Sequence, residues 1–242
     1  MGRNYKSPPL IEALCEFRFI NKHWDMTMPG LFYQKVKDDF PTIREKNVVE
    51  MLVNQQQPGQ EVHGVMTPRI QFINHNESAL LQLGPGILIV NCLRPYPSWP
   101  NFKELIFQTL AQYKEITSTV ELERIGLRFI NKIDLPLDKE TKTQFNYYPH
   151  LPALPANEPK NFLLRTELDF EQSNGVLVLT LAIVPPEKDD VKSLILDLDF
   201  VSLHADRLTF ETIESWVESA HHNIETAFEA SIMDSLRVTF EE

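Results

Sequence analysis

Two short stretches place charged side chains at strand spacing, where they could do chemistry. In Leu163-Leu164-Arg165-Thr166-Glu167-Leu168-Asp169-Phe170, alternation puts Arg165, Glu167 and Asp169 on one face. In Leu194-Ile195-Leu196-Asp197-Leu198-Asp199-Phe200 it puts Asp197 and Asp199 opposite four large apolar residues that must face a core. Arg18 and Arg128 occupy the polar side of two further strand-like runs. If these runs are neighbours, Glu167, Asp169, Asp197 and Asp199 form a carboxylate face of the kind a hard divalent metal uses. Arg18, Arg128 and Arg165 would then be available to hold a phosphate. The same pattern describes a solvated sheet face crossed by opposite-charge pairs, each contributing about 0.2–1 kcal/mol. Burial separates the two readings, because a covered carboxylate needs a compensating partner.

Other chemistry has less to stand on. Glu218, His222 and Glu225 share one helical face beside the pair His221-His222, and a solvated polar surface explains them better than a metal site. His63, His75, His150 and His204 show no ligand spacing. Cys15 and Cys92 lie in apolar runs and read as small core residues, outside any disulfide framework. No Gly-x-Ser-x-Gly turn occurs, and Gly84-Pro85-Gly86-Ile87 lacks the glycine spacing and Lys-Ser/Thr of a phosphate loop, so it is read as a hairpin turn. No catalytic residue is assigned. No cofactor is expected, with a divalent metal left open.

The elements that must position these residues follow from periodicity. Phe17-Arg18-Phe19-Ile20-Asn21-Lys22 returns as Leu127-Arg128-Phe129-Ile130-Asn131-Lys132, and both copies alternate as half-buried strands with the arginine on the same face. The separation, near half the chain, suggests a duplicated unit. The first half is predicted as a strand over 10–21, a helix over 29–40 with Thr27 as N-cap, strands over 48–54, 69–74, 78–83 and 87–93, and a helix from the Pro95–Pro100 region to Thr117. On the first helix Leu31, Phe32, Val36 and Phe40 share a face.

The second half is predicted as strands over 124–135, 162–170, 176–184 and 193–202. Asn174-Gly175 joins 162–170 to 176–184 as a hairpin, and one long helix runs over 209–236. Between them, 147–155 is punctuated by proline and reads as an extended connector, or as a flap over a site.

Charge and hydropathy limit the function classes. The chain has 242 residues, 43% of them hydrophobic, and no apolar run of bilayer length, so a soluble cytoplasmic protein is expected. Its net charge of −11 argues against a general phosphate-backbone binder. A local basic patch of Arg18, Lys22 and His23 remains compatible with that balance.

The run Pro8-Pro9-Leu10-Ile11-Glu12-Ala13 leading into Glu16-Phe17-Arg18-Phe19, joined to Arg124-Ile125-Gly126-Leu127-Arg128-Phe129-Ile130-Asn131, resembles a sporadically distributed family of uncharacterised prokaryotic proteins. The resemblance covers nearly the whole chain and carries strand motifs, so it implies no activity. Patchy distribution implies a mobile or defence-linked setting.

The expected fold is α+β, an antiparallel sheet in two related halves, residues 1–120 and 121–242, forming one compact unit. By analogy it is similar to TATA-binding-protein-like and helix-grip arrangements. The function expected is binding of a protein partner or small ligand by a non-enzymatic module, with a homodimer as one state. The alternative is a metal-assisted hydrolase or nucleotide-binding enzyme that uses the carboxylates.

Overall fold

The computed structural model describes residues 5–20, 24–52, 63–117, 121–150, 152 and 158–241, with backbone alone for 48–52 and 63–66. It is an α+β fold with one nine-stranded antiparallel sheet and four α-helices. The elements are β1 (Leu10–Phe19), α1 (Met28–Val36), β2 (Thr42–Leu52), β3 (His63–Ile73), β4 (Ala79–Gly84), β5 (Ile87–Leu93), α2 (Trp99–Ile116), β6 (Leu122–Pro136), β7 (Leu163–Phe170), β8 (Gly175–Val184), β9 (Val191–Ser202), α3 (Ile213–Ser231) and α4 (Asp234–Glu241). The strand order is β2-β3-β4-β5-β1-β6-β9-β8-β7. The chain divides into two compact units, one of Met1–Leu14, Arg94–Tyr96 and Arg124–Glu242, the other of Cys15–Leu93 and Pro97–Glu123.

In the unit of Cys15–Leu93 and Pro97–Glu123, alternation along β1 buries Cys15, Phe17 and Phe19 and turns Glu16 and Arg18 to the other side. The ring of Phe19 stacks on Tyr113 of α2 with centroids 4.7 Å apart. Four residues of α2, Phe102, Ile106, Leu110 and Tyr113, are buried along one face, and each fully buried apolar side chain contributes about 1.5–3 kcal/mol. The Ser98 side chain caps α2 by accepting from the Asn101 amide at 3.4 Å.

The first helix is shorter than expected, ending at Val36, and Leu31 is exposed while Phe32 and Val36 are buried. Phe32 meets Phe72 edge to face at 5.3 Å. Thr27 stands at the N-cap position, but its side chain donates to Asp25 and makes no capping bond. β2 starts six residues before the expected Val48, and β3 likewise before Arg69. The stretch Thr42–Asn47 has no sustained apolar face, so its pairing with β3 left little trace in hydropathy. The expected break at 55–60 lies outside the described residues, as do Asn21 and Lys22 of the first repeated motif.

In the other unit, β6, β9 and β8 build one apolar face from Ile125, Leu127, Phe129, Leu194, Leu196, Leu198, Phe200, Leu177, Leu179 and Leu181, all buried. Ile213, Trp216, Val217, Ala220 and Ile224 of α3 are buried as well, and the Trp216 indole donates to the Asn174 carbonyl at 3.0 Å.

One expectation is corrected here. The long C-terminal helix is broken: α3 ends at Ser231, and Ile232 is extended with φ −110° and ψ 152° before α4 begins at Asp234. The cause is the segment before the proline-rich loop. Phe145 bridges Ile232, the Asn146 amide donates to Ser231 O at 2.9 Å, and the Met233 amide donates to Gln144 O at 2.9 Å. The expected hairpin at Asn174-Gly175 is present: β7 and β8 pair antiparallel and are joined by a single 3₁₀ turn, Glu171–Ser173, that closes on a left-handed Asn174 with φ 48°. Gly175 is needed for space, since a Cβ there would lie 2.1 Å from the Phe200 ring.

β3, β4, β5 and β1 are successive neighbours, with α2 following β5 in sequence. β7, β8, β9 and β6 are likewise successive neighbours, with α3 following β9. Among the described residues no helix is long and apolar enough to cross a membrane.

Candidate functional site

Register decides what becomes of the charged residues. On the polar face Arg128 stands opposite Asp199 and Ile130 opposite Asp197. On β8, Thr180 stands opposite Asp197 and Val178 opposite Asp199. Beyond β8, Arg165 faces Thr180, Glu167 faces Val178 and Asp169 faces Val176. The four carboxylates therefore form two pairs separated by β8, two strand spacings or roughly 10 Å apart. The expected single carboxylate cluster does not assemble, because β8 fills the intervening row with Val176, Val178 and Thr180.

Asp197 and Asp199 are already engaged. Arg128 grips Asp197 with two bonds, Nε to Oδ1 at 2.8 Å and Nη2 to Oδ2 at 2.5 Å. That hydrogen bond raises the guanidinium above its ordinary pKa, against the opposing effect of burial and with help from the charges of Asp199 and Glu12. Arg124 approaches Asp199 at 3.7 Å, and Ser193 donates to Asp134 at 2.5 Å further along β6 and β9. Arg165 pairs with Glu167 of its own strand, both about half exposed. Arg18 belongs to the other unit, where it bonds Glu16 at 2.8 Å. Lys22 and His23, the rest of the expected basic patch, lie outside the described residues. Among the described residues no group of three or more His, Cys, Asp or Glu is placed to hold a metal ion.

The opposite face of the same strands holds a cavity of about 400 Å³. Its floor is Leu168 and Phe170 of β7 with Leu177 and Leu179 of β8, and its roof includes Asn223, Ala227 and Ala230 of α3. The space exists because small residues on α3 stand over a floor of large ones. Asn146 and Tyr147 line one side, and Tyr147 is fixed there by donating to Leu179 O at 3.0 Å and meeting Thr166 Oγ1 at 3.0 Å.

Asn223 Nδ2 is buried with no hydrogen-bond partner among the described residues, although a buried donor left unmade costs about 1–3 kcal/mol. Thr226 and Ser231, which also line the cavity, spend their hydroxyl protons on the carbonyls of His222 and Ala227. No carboxylate, histidine or cysteine is among the lining residues. The arrangement can hold a mostly apolar molecule and offer it one amide donor. Its three hydroxyls, on Tyr147, Thr226 and Ser231, each donate to a backbone carbonyl.

Hydropathy concealed this site. Asn223 looks like a solvent-side residue of α3, and Ala227, Ala230 and Ser231 are small residues near the end of its apolar stripe. Tyr147 begins the stretch 147–155 expected to be a connector or a flap, of which 151 and 153–155 lie outside the described residues.

His221 lies off the polar face of Glu218, His222 and Glu225. It turns away from the exposed His222 and lies 5.6 Å from the Phe129 ring. Burial pushes its pKa down to about 4, with Glu218 opposing and His222 adding to the shift. Both cysteines are buried, and burial raises the Cys15 thiol and pushes Cys92 up to about 11, so neither is poised as a nucleophile. No family model matches the chain, and neither does any curated protein or solved structure.

Proposed function

We propose that this chain is a non-enzymatic binding protein whose ligand is a small, mostly apolar molecule with one hydrogen-bond acceptor, held between α3 and the β7–β8 edge. The observation that carries the reading is the cavity of about 400 Å³ in which the Asn223 amide has no partner among the described residues. That volume falls within the range of small-molecule sites, which are mainly apolar with a few placed polar groups. The metal-assisted hydrolase reading has weaker support, since Asp197 is committed to Arg128 and β8 stands between the carboxylate pairs. A mobile or defence-linked setting belongs to the same proposal and rests on the family resemblance alone. Duplication of one ancestral unit is also proposed, supported by the repeated strand order and the two Phe/Leu-Arg-Phe motifs.

Native mass spectrometry of the purified protein, repeated after denaturation, tests this reading. The expected result is a bound organic mass, or binding of the apolar probe anilinonaphthalene sulfonate, that is lost in Ala227→Trp. No bound mass together with probe binding unchanged by Ala227→Trp overturns it. A bound divalent metal, lost when Asp197 and Asp199 are changed to Ala, replaces it with the hydrolase reading.

A further inference from the structure

β7 is the last strand in the order of the sheet, and among the described residues one of its sides has no strand partner. The Ile183 amide donates to Phe162 O at 3.1 Å, immediately before the paired residues Leu163 and Ala182. Hydrogen-bonded and non-bonded pairs alternate in an antiparallel ladder. Leu164, Thr166, Leu168 and Phe170 therefore spend their backbone groups on β8. The N–H and C=O groups of Leu163, Arg165, Glu167 and Asp169 point outward along the free edge.

Natural sheets usually blunt such an edge with proline, lysine, a bulge or a short strand. β7 runs eight residues in unbroken register without proline or lysine. It also exposes apolar side chains on both faces, Leu163 at 70% and Leu168 at 47%.

From this edge we infer that β7 is the pairing strand of a two-fold homodimer, in which the β7 strands of two copies of this chain run antiparallel about Thr166. The sequence of the strand selects that centre. With Thr166 opposite Thr166 of the partner subunit, Arg165 faces the partner's Glu167 and Glu167 faces the partner's Arg165. On the other face, Leu164 faces the partner's Leu168. The residues paired across the new ladder at 163, 165, 167 and 169 are the ones with outward backbone groups. Moving the centre one residue either way sets Glu167 against itself or Arg165 against itself, and like charges directly opposite are destabilising. The edge is thus complementary to its own copy in hydrogen bonding, charge and apolar contact at a single register.

Pairing also bears on the cavity. Leu168 is both exposed and part of the cavity floor, so the partner's Leu164 would cover its outer side and extend the wall. The dimer does not depend on what the cavity holds.

Sedimentation of the full chain over a range of concentrations tests the inference, with circular dichroism as the check on folding. The wild type should associate to a dimer. Arg165→Glu and Glu167→Arg should each raise its dissociation constant by about tenfold or more, since two pairs change sign together by symmetry. An equimolar mixture of the two variants should regain the wild-type constant as a heterodimer, because opposite charges again stand across the strand pair. Glu167→Pro removes one outward N–H, spares the β8 ladder, and should leave a folded monomer. A wild type that stays monomeric throughout overturns the inference. So does a dimer indifferent to both charge variants and to Glu167→Pro, or a mixture no tighter than its components.

Discussion

The two faces of β7, β8 and β9 make opposite use of their side chains. On the polar face the charges that looked most chemical are consumed by one another: Asp197 by Arg128, Asp199 by Arg124 at longer range. On the apolar face, where nothing looked reactive, small residues of α3 leave a cavity and Asn223 lacks a partner among the described residues. A saturated charge cluster has little left to offer a ligand. An unfilled apolar space beside an unmade hydrogen bond has both room and a reason to accept one.

The contrast can be broken or sharpened by substitution. The largest effect is expected at the apolar floor next to the cavity. Phe200, fully buried against Trp216 and Gly175, should cost about 3–5 kcal/mol as Phe200→Ala in denaturant unfolding. Gly175→Ala, which forces a Cβ into the Phe200 ring, should cost about 1–3 kcal/mol. If either proves neutral, this core is looser than its contacts imply.

A titration comes next. His221 is held neutral, with a folded pKa of about 4 against 6.5 for an ordinary histidine. Below pH 6.5 the unfolded chain therefore binds a proton that the folded chain refuses. Its contribution is complete above pH 6.5 and is lost progressively as the pH falls toward 4, by about 1–3 kcal/mol after allowance for partial exposure. Unfolding of His221→Phe at several pH values should show a flatter acid limb, and an unchanged limb would place the pH dependence elsewhere.

Within the polar face itself, Asp197→Asn strips a bidentate partner from the partly covered Arg128 and should cost about 1–2 kcal/mol. Glu167→Gln, at an exposed pair, should stay within about 0.5 kcal/mol. Equal costs for the two would show that the carboxylates act together after all. Ala227→Trp should also change stability little, by about 1 kcal/mol or less if the ring enters the existing space. That same variant should abolish binding of the apolar probe, so stability and binding separate at one residue.

Much of the scaffold was legible in one sequence. The alternation at Phe17, Phe19, Leu127 and Phe129, the apolar runs of β5 and β9, and the stripe of α2 each record a local period that burial imposes. The free edge was legible only as a strand, because which strand ends a sheet depends on partners distant in the chain. The break at Ile232 was invisible for a related reason: Ile232 is apolar and buried, so it fits the helical stripe, and the competing hydrogen bonds come from Gln144 and Asn146.

The sequence by itself determined which face of each element is apolar, since that follows from side-chain type and a fixed repeat. Only the tertiary structure decided that β8 separates Asp197 and Asp199 from Glu167 and Asp169, and that Ala227 and Ala230 stand over Leu177 and Leu179 with space between them. Strand order and the filling of volume are set by contacts between residues far apart in the chain, and no local period encodes them.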